Sequence, residues 1–274
     1  MTSSNALYRL RSYARHKLTA WHTGGEGVHS PALFYVVRMV IYDDNAYYAF
    51  PLIERQRARL LHSTATVQQE DYGTGARARD GALPQVTSCR VADIARMHLA
   101  SPKVGQLLFR LVNHLTATQQ EPLTIVELGT SLGITTAYLA SPGSRNSVLT
   151  FDDAEDASDI ALDVWRELEL KNIQPVIGSI DDTLQTIRTK RIDLAYIHAA
   201  YTYEAAMRFF RQLLPTAGQH SIFVIDGIHH SAEMEHAWLD IQDIGQVTST
   251  IDCYDVGVVF FNKHYMKKHY KIRI

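Results

Sequence analysis

Two cysteines in 274 residues, Cys89 and Cys253, are too few and too far apart for a disulfide framework or a metal-binding pair. That scarcity fits a reducing cytoplasm, which is the expected location. No apolar run approaches the roughly 20 residues that span a bilayer. The first residues lack the apolar core of a signal peptide. The net charge of -2 gives no global positive field to recruit nucleic acid or an anionic membrane. Internal repeats, low-complexity tracts and the G-x-G-x-x-G dinucleotide fingerprint are also missing. What is present is a chain 46% hydrophobic, enough to bury a sizeable core.

The first hundred residues mix helical patterning with loops. "MTSSNALYRLRSYARHKLTA" carries Arg9, Arg11, Arg15 and Lys17 and no acid, and reads as a short amphipathic helix with a solvated basic face. "PALFYVVRMVIY" (31–42) and "PLIERQRARLL" (51–61) read as helices, each with proline at the first position. Residues 64–87 are polar and rich in Gly and Arg, and read as a loop or lid. Within them "DYGTG" imitates a nucleotide loop, but it follows no apolar strand and precedes no helical stripe.

From Ser101 the pattern is regular. "SPKVGQLLFRLVNHL" is an amphipathic helix with Ser101 as cap and Pro102 at the first helical position. Apolar strands follow at 123–128, 147–152, 173–178, 192–198 and 221–226. Helices begin near Gly133, Ala154, Asp181, Thr202 and Ser231. "QVTSTIDCYDVGVVFFNK" reads as two β-runs joined by a turn near Asp255–Gly257. The expectation is an α/β, Rossmann-like, doubly wound seven-stranded sheet of five parallel strands and an antiparallel hairpin. It occupies residues 101–274, behind a mainly helical extension or lid over residues 1–100.

In such a sheet ligands bind beyond the carboxyl ends of the strands. "VELGTSLGITT" places Glu127 at a strand end, followed by Gly129, Thr130, Ser131 and Gly133 ahead of a helix whose N–H groups can meet an anion. Asp152 ends the next strand, 23 residues after Gly129, where this topology puts an acid for two ribose hydroxyls. An N-cap is its bland reading, a role Asp153 suits better. Glycine turn and spaced acid together point to an adenosine-type ligand. The later strand ends offer Gly178, His198 and Asp226.

On these residues residues 100–274 resemble the class I S-adenosylmethionine-dependent methyltransferases. Glu127-x-Gly129-x-x-x-Gly133 looks like their first motif, Asp152 like their ribose-binding acid, and "GSIDD" (178–182) like the loop lining the adenine. "SPKVGQLLFRLV" resembles a helix of the small-molecule O-methyltransferases. "GVHSP", "SLGITTAYLAS" and "FVIDGIHHSAEMEHAW" resemble an uncharacterised bacterial group of methyltransferases. The resemblance implies S-adenosylmethionine bound at Glu127, Gly129, Thr130, Ser131, Gly133, Asp152 and Asp182. Metal-dependent relatives hold Mg²⁺ with an acid at the fourth strand end, a second acid at the fifth and an adjacent amide. Here His198 replaces the first acid, with Ala200 and Tyr201 following; Asp226 is retained, and Gly227 stands where the amide would be. A Mg²⁺ site is therefore not expected, and no metal is assigned, although His198, His229, His230 and Asp226 are the types that take Zn²⁺ or Fe²⁺.

His198, Asp226 and His229 are the catalytic candidates, with a histidine as general base. Tyr201 and Tyr203 either line an acceptor pocket or pack on a helix, and His29, Ser30, Tyr47 and Tyr48 either wall the substrate or cap and pack. The leading expectation is methyl transfer to a small-molecule oxygen, with no nucleic-acid partner and a homodimer left open. The rival is an inactive protein of the same fold that serves as a cofactor-binding or interaction module.

Overall fold

A computed structural model describes residues 3–71, 85–187 and 191–274. In chain order the elements are α1 (Ser3–Thr19), α2 (Pro31–Val36) running into a π-helical turn (Val37–Ile41), α3 (Ala49–Leu61), β1 (Thr66–Asp71), β2 (Gln85–Arg90), α4 (Val91–His98) and α5 (Pro102–Thr118). Then come β3 (Thr124–Leu128), α6 (Ile134–Ala140), β4 (Ser147–Asp152), α7 (Glu155–Glu167), β5 (Ile173–Ile177) and α8 (Ile180–Thr183). The last set is β6 (Ile192–Ile197), α9 (Tyr203–Leu213), β7 (Ala217–Asp226), α10 (Ala232–Asp243), β8 (Ser249–Asp252), β9 (Val256–Phe260) and β10 (Lys268–Lys271). Among these, no helix is long and apolar enough to cross a membrane.

The chain divides into two units, Asp44–Arg188 and Met1–Asp43 with Thr189–Ile274. Residue 100, the boundary suggested by composition, falls inside the first of these. In Asp44–Arg188 the strands β3, β4 and β5 are parallel, with Glu127 opposite Thr150 and Asp152 opposite Ile177. The registers bring the carboxyl ends of all three strands to one edge. The core joins α3, α4, α5, α6 and α7 through Ile53, Leu60, Ile94, Phe109, Tyr138, Val164 and Trp165. Ser101 caps α5 as expected, accepting from the Val104 N–H at 3.4 Å. The stretch 64–87 is not all loop: β1 and β2 pair as an antiparallel ribbon, Thr66 opposite Arg90. Alternation in "TVQQED" is too polar to announce a strand, and pairing supplies what propensity does not. Residues 72–84, and with them all of "DYGTG" except Asp71, lie outside the described residues.

In the other unit the strand order is β10-β8-β9-β7-β6. Strands β6 and β7 are parallel, β9 is antiparallel to both β7 and β8, and β10 runs parallel to β8. The hairpin β8–β9 is the expected one; β10 is an addition to the seven strands anticipated, since "KHYK" has no strand-like run of apolar residues. Every residue of β6, β8 and β9 is buried, as strands covered on both faces must be. Helix α1 is the surprise. Its buried positions are Ser12 and His16, with Ala20 just beyond, while Leu7, Leu10 and Leu18 are exposed. The helix thus docks through a polar stripe at four-residue spacing, not through its leucines.

Candidate functional site

The turn after β3 is held by its own neighbours. The Gly129 N–H donates to the Phe151 carbonyl at 2.8 Å, and the Gly133 N–H to the Thr130 carbonyl at 3.0 Å. Three of its residues have positive φ: Gly129 at 99°, Ser131 at 48° and Gly133 at 76°. Gly133 has no alternative, because a Cβ there would lie 2.6 Å from Trp165 Nε1 and 2.8 Å from Ala161 Cβ. Trp165 in turn donates Nε1–H to the Gly133 carbonyl at 2.9 Å. Neither Trp165 nor Ala161 has a local signature that ties it to this turn.

Asp152 organises the same turn. One carboxylate oxygen accepts from the Ser131 N–H at 2.7 Å and the other from the Ala154 N–H at 2.9 Å. Each oxygen keeps a further lone pair for an incoming hydroxyl. Asp153 does not cap α7, as its position suggests; it accepts from the Ile180 N–H at 2.9 Å and so tethers the "GSIDD" loop. Asp182 in that loop is exposed. The turn's N–H groups at 129, 130, 131 and 133 are all engaged internally; the N–H groups expected to meet an anion are those of the first turn of α6, beyond them.

Glu127 is fully buried and points inward. It accepts from Thr150 Oγ1 at 2.7 Å and from Thr136, and Thr150 and Thr130 share a hydroxyl contact of 2.6 Å. This buried string ties β3, β4 and α6 together behind the turn. Thr136 and Thr150 take part unannounced, because their link to Glu127 exists only once β3 and β4 are paired.

The other unit holds a second constellation. His198 and Asp226 sit just past the end of β6 and at the end of β7, which are paired strands, with His198 Nδ1 3.1 Å from Asp226 Oδ2. Tyr196, fully buried, donates to Asp226 Oδ1 at 3.1 Å. The Tyr201 hydroxyl lies 3.3 Å from His198 Nε2. Burial, then the Asp226 charge, push the Tyr201 phenol far above its ordinary value, so it remains a donor. The Asp226 contact assigns the tautomer, Nδ1–H toward the carboxylate and the lone pair on Nε2; the Tyr201 hydroxyl, also 3.5 Å from Nδ1, is nearly equidistant from the two nitrogens and so does not lie along that lone pair. A carboxylate that orients and polarises a histidine in this way is the base arrangement of acyl-transfer triads, without the nucleophile.

The remaining candidates separate. His229 turns away from Asp226 and places Nε2 2.9 Å from Asp252 Oδ2. His230 packs its ring 5.6 Å from Tyr201, and burial lowers its basicity. Tyr203 donates to Asp240 on α10 at 2.6 Å and is a helix-packing residue. Ser30 caps α2 through the Leu33 N–H, and Tyr47 packs on Phe50 and Phe109. Tyr196 is the residue of this network that sequence reasoning passed over, because it reads as one more apolar position in a buried strand.

A model of the family described as "Methyltransferase domain" matches residues 126–244. No curated protein sequence matches the chain. Solved structures share the fold at low identity. An O-methyltransferase from Bacillus cereus in complex with SAH is 20% identical, with a TM-score of 0.51 over 60% of this chain and 83% of that one. The O-methyltransferase TomG from Streptomyces achromogenes, in complex with SAM, is 16% identical, with a TM-score of 0.52 over 60% and 82%. The SAH-bound methyltransferase PaMTH1 from Podospora anserina is 10% identical, with a TM-score of 0.55 over 85% and 96%. The α/β fold expected from the strand pattern is the fold of these enzymes.

Proposed function

We propose that the protein transfers a methyl group from S-adenosylmethionine to an oxygen of a small molecule, without Mg²⁺; the match of residues 126–244 to the methyltransferase-domain model and the fold shared with O-methyltransferases solved with SAM or SAH support this reading. The observation that carries this reading is the Asp152 carboxylate. It is fixed by two backbone N–H groups at the edge where β3, β4 and β5 end, with lone pairs left for two hydroxyls. The positive-φ turn at Gly129 and Gly133, packed against Trp165, supports the cofactor reading by holding Asp152 and the start of α6 together. Thr130 and Ser131 lie in the same turn, Glu127 braces it from behind, and Asp182 is exposed on the neighbouring loop.

S-adenosylmethionine supplies a methyl already activated on a sulfonium. What is left for the chain is to hold, orient and deprotonate. Asp152 orients the ribose. His198 Nε2 takes the acceptor's proton, and Asp226 holds Nδ1–H and stabilises the imidazolium that forms. Tyr196 keeps Asp226 aimed at the ring. Asp226 therefore serves as an orienting acid, which supports a metal-free reaction more than the surviving remnant of a Mg²⁺ site. His229, engaged by Asp252, is not the base in this reading.

Titration calorimetry with S-adenosylmethionine and S-adenosylhomocysteine tests the cofactor claim; absence of binding at millimolar ligand refutes it. Transfer of labelled methyl into small-molecule extract, with and without chelator, tests the rest. Labelled product that disappears in His198→Gln and persists in chelator supports the reading. No product from folded, cofactor-binding protein favours the non-catalytic alternative.

A further inference from the structure

Behind α1 lies a cluster that the transfer reaction does not use. His16 on α1, His229 in the turn after β7 and Asp252 at the end of β8 are all buried, and their ligating atoms lie within 4.8 Å of one another. The His16 ring nitrogen Nε2 is 2.9 Å from the Ile272 carbonyl, which can only accept, so Nε2 carries the hydrogen. The other nitrogen, Nδ1, then presents its lone pair to Asp252 Oδ1 at 3.3 Å and makes no hydrogen bond. His229 repeats the problem. With Nε2 2.9 Å from Asp252 Oδ2, its buried Nδ1 has no hydrogen-bond partner and faces Glu235 Oε2 at 3.9 Å. Glu235 is itself held by Arg15 and Tyr8 of α1, and Asp252 Oδ1 also accepts from the Tyr254 N–H at 2.9 Å.

Lone pairs aimed at carboxylates in a buried site repel unless positive charge lies between them. A neutral His229 can satisfy Asp252 Oδ2 with its Nε2–H, but protons alone would still require a buried imidazolium at His16, its ring 5.8 Å from that of His229, centre to centre. One divalent cation supplies positive charge there and lets both rings stay neutral. We propose that His16 Nδ1, His229 Nε2 and Asp252 form a transition-metal site, with Zn²⁺ the fitting ion, that staples α1 to the turn after β7 and to β8.

Two features support this beyond the clustering. Tetrahedral Zn²⁺ with bonds of about 2.0–2.1 Å requires neighbouring ligand atoms roughly 3.3 Å apart. The contacts from Asp252 to the two rings are 3.3 Å from Oδ1 and 2.9 Å from Oδ2, near that spacing, so the carboxylate meets the ion through both oxygens or turns to present one. Each histidine also has an acceptor behind its other nitrogen, the Ile272 carbonyl for His16 and the Glu235 carboxylate for His229. That is the outer-shell pattern that orients metal-bound imidazoles. The donor set of two nitrogens and one carboxylate suits Zn²⁺ rather than Mg²⁺ or Ca²⁺. It also gives a reason for the inverted burial of α1, where His16 is buried and leucines are exposed.

The test is independent of any methyl transfer. The full chain, stripped by chelator, is titrated with Co²⁺ and then Zn²⁺, and its thermal midpoint is followed throughout. The expected result is one ion per chain, a tetrahedral Co²⁺ absorption band that Zn²⁺ abolishes, and a midpoint that rises with Zn²⁺ and not with Mg²⁺. His16→Ala and Asp252→Asn should abolish the band, Glu235→Gln should weaken Zn²⁺ by roughly 10- to 100-fold, and the exposed His264→Ala should leave both unchanged. Because buried variants can misfold, the wild-type titration alone is decisive. No tetrahedral band, or a midpoint indifferent to Zn²⁺, overturns the proposal and leaves a proton-held His–Asp–His cluster. A band that survives in folded His16→Ala protein also overturns it.

Discussion

Asp152→Ala tests the clamp and the cofactor site at once, provided the two effects are measured separately. The carboxylate accepts two charge-assisted hydrogen bonds, from Ser131 at 2.7 Å and Ala154 at 2.9 Å. Each such bond is worth about 1.5–3 kcal/mol net. Asp152 is only half buried, so water replaces part of the loss and the low end applies to both, about 3 kcal/mol together. Against this, Ser131 sits at φ 48°, a conformation that costs an L-residue roughly 1 kcal/mol. Losing the clamp lets it relax. The net expectation is a destabilisation of about 2 kcal/mol, which at roughly 2–4 °C per kcal/mol for a chain of this size lowers the thermal midpoint by about 4–8 °C. Scanning calorimetry reads that value. Cofactor affinity, measured well below the midpoint, should fall by at least about tenfold if both ribose hydroxyls are lost. A midpoint within about 1 °C of wild type refutes the clamp; unchanged affinity in the folded variant refutes the ribose role. Asp152→Asn is the useful intermediate. Its oxygen keeps one bond and its amide opposes the other N–H, so it should recover no more than half of either loss.

Other substitutions probe the remaining parts. Gly133→Ala forces a Cβ to 2.6 Å from Trp165 Nε1 at a φ of 76°, and should cost about 2 kcal/mol or more, read as a fall in thermal midpoint. Ser131→Gly removes the strain while keeping the N–H to Asp152, and should leave stability unchanged or raise it by a few tenths of a kcal/mol in the same assay. His198→Gln should lower kcat by about 10²–10⁴ with cofactor affinity intact, and Tyr196→Phe should shift the pH–rate profile through Asp226; a His198 variant of full activity refutes the base assignment. Burial lowers the basicity of His114, so the unfolded chain takes up that proton at a higher pH than the folded one. Its contribution to stability is complete above the unfolded value of 6.5 and is lost as pH falls from there through the depressed folded value. Urea melts of His114→Gln should therefore show a shallower acid-side loss.

The elements of the sheet were largely legible because their signals are local. Strand limits read at 147–152, 173–178 and 192–198 agree within one residue with Ser147–Asp152, Ile173–Ile177 and Ile192–Ile197. The cap read at Ser101 was legible for the same reason, and the helices read to begin near Thr202 and Ser231 do so, each of these residues accepting from an N–H three residues on. What escaped is short and, in the strands, polar. β1, β2 and β10 have little apolar periodicity and exist because a neighbour pairs with them, whereas α4 does carry a helical stripe of Val91, Ala92, Ile94 and Ala95 but is only eight residues long. Pro51, expected at the first position of its helix, is the third residue of α3, where its missing N–H is still one that no helix would use.

The site was legible in residue type and opaque in partnership, and the acids show why. Asp152, Asp153 and Asp252 all stand at strand ends, and each accepts a hydrogen bond from a backbone N–H close in space, at Ser131 or Ala154, at Ile180 and at Tyr254. An aspartate that fixes a turn and one that receives a ligand have the same sequence signature, because both jobs need a short carboxylate where the chain leaves the sheet. Spacing picked out Asp152, but spacing could not say that its two oxygens already brace the turn. It could say still less about Asp252, whose histidine neighbours come from α1 and from the turn after β7. Loss of function on substituting any of these acids therefore decides nothing by itself. The readout that does decide is whether binding falls further than the measured loss of folding stability explains.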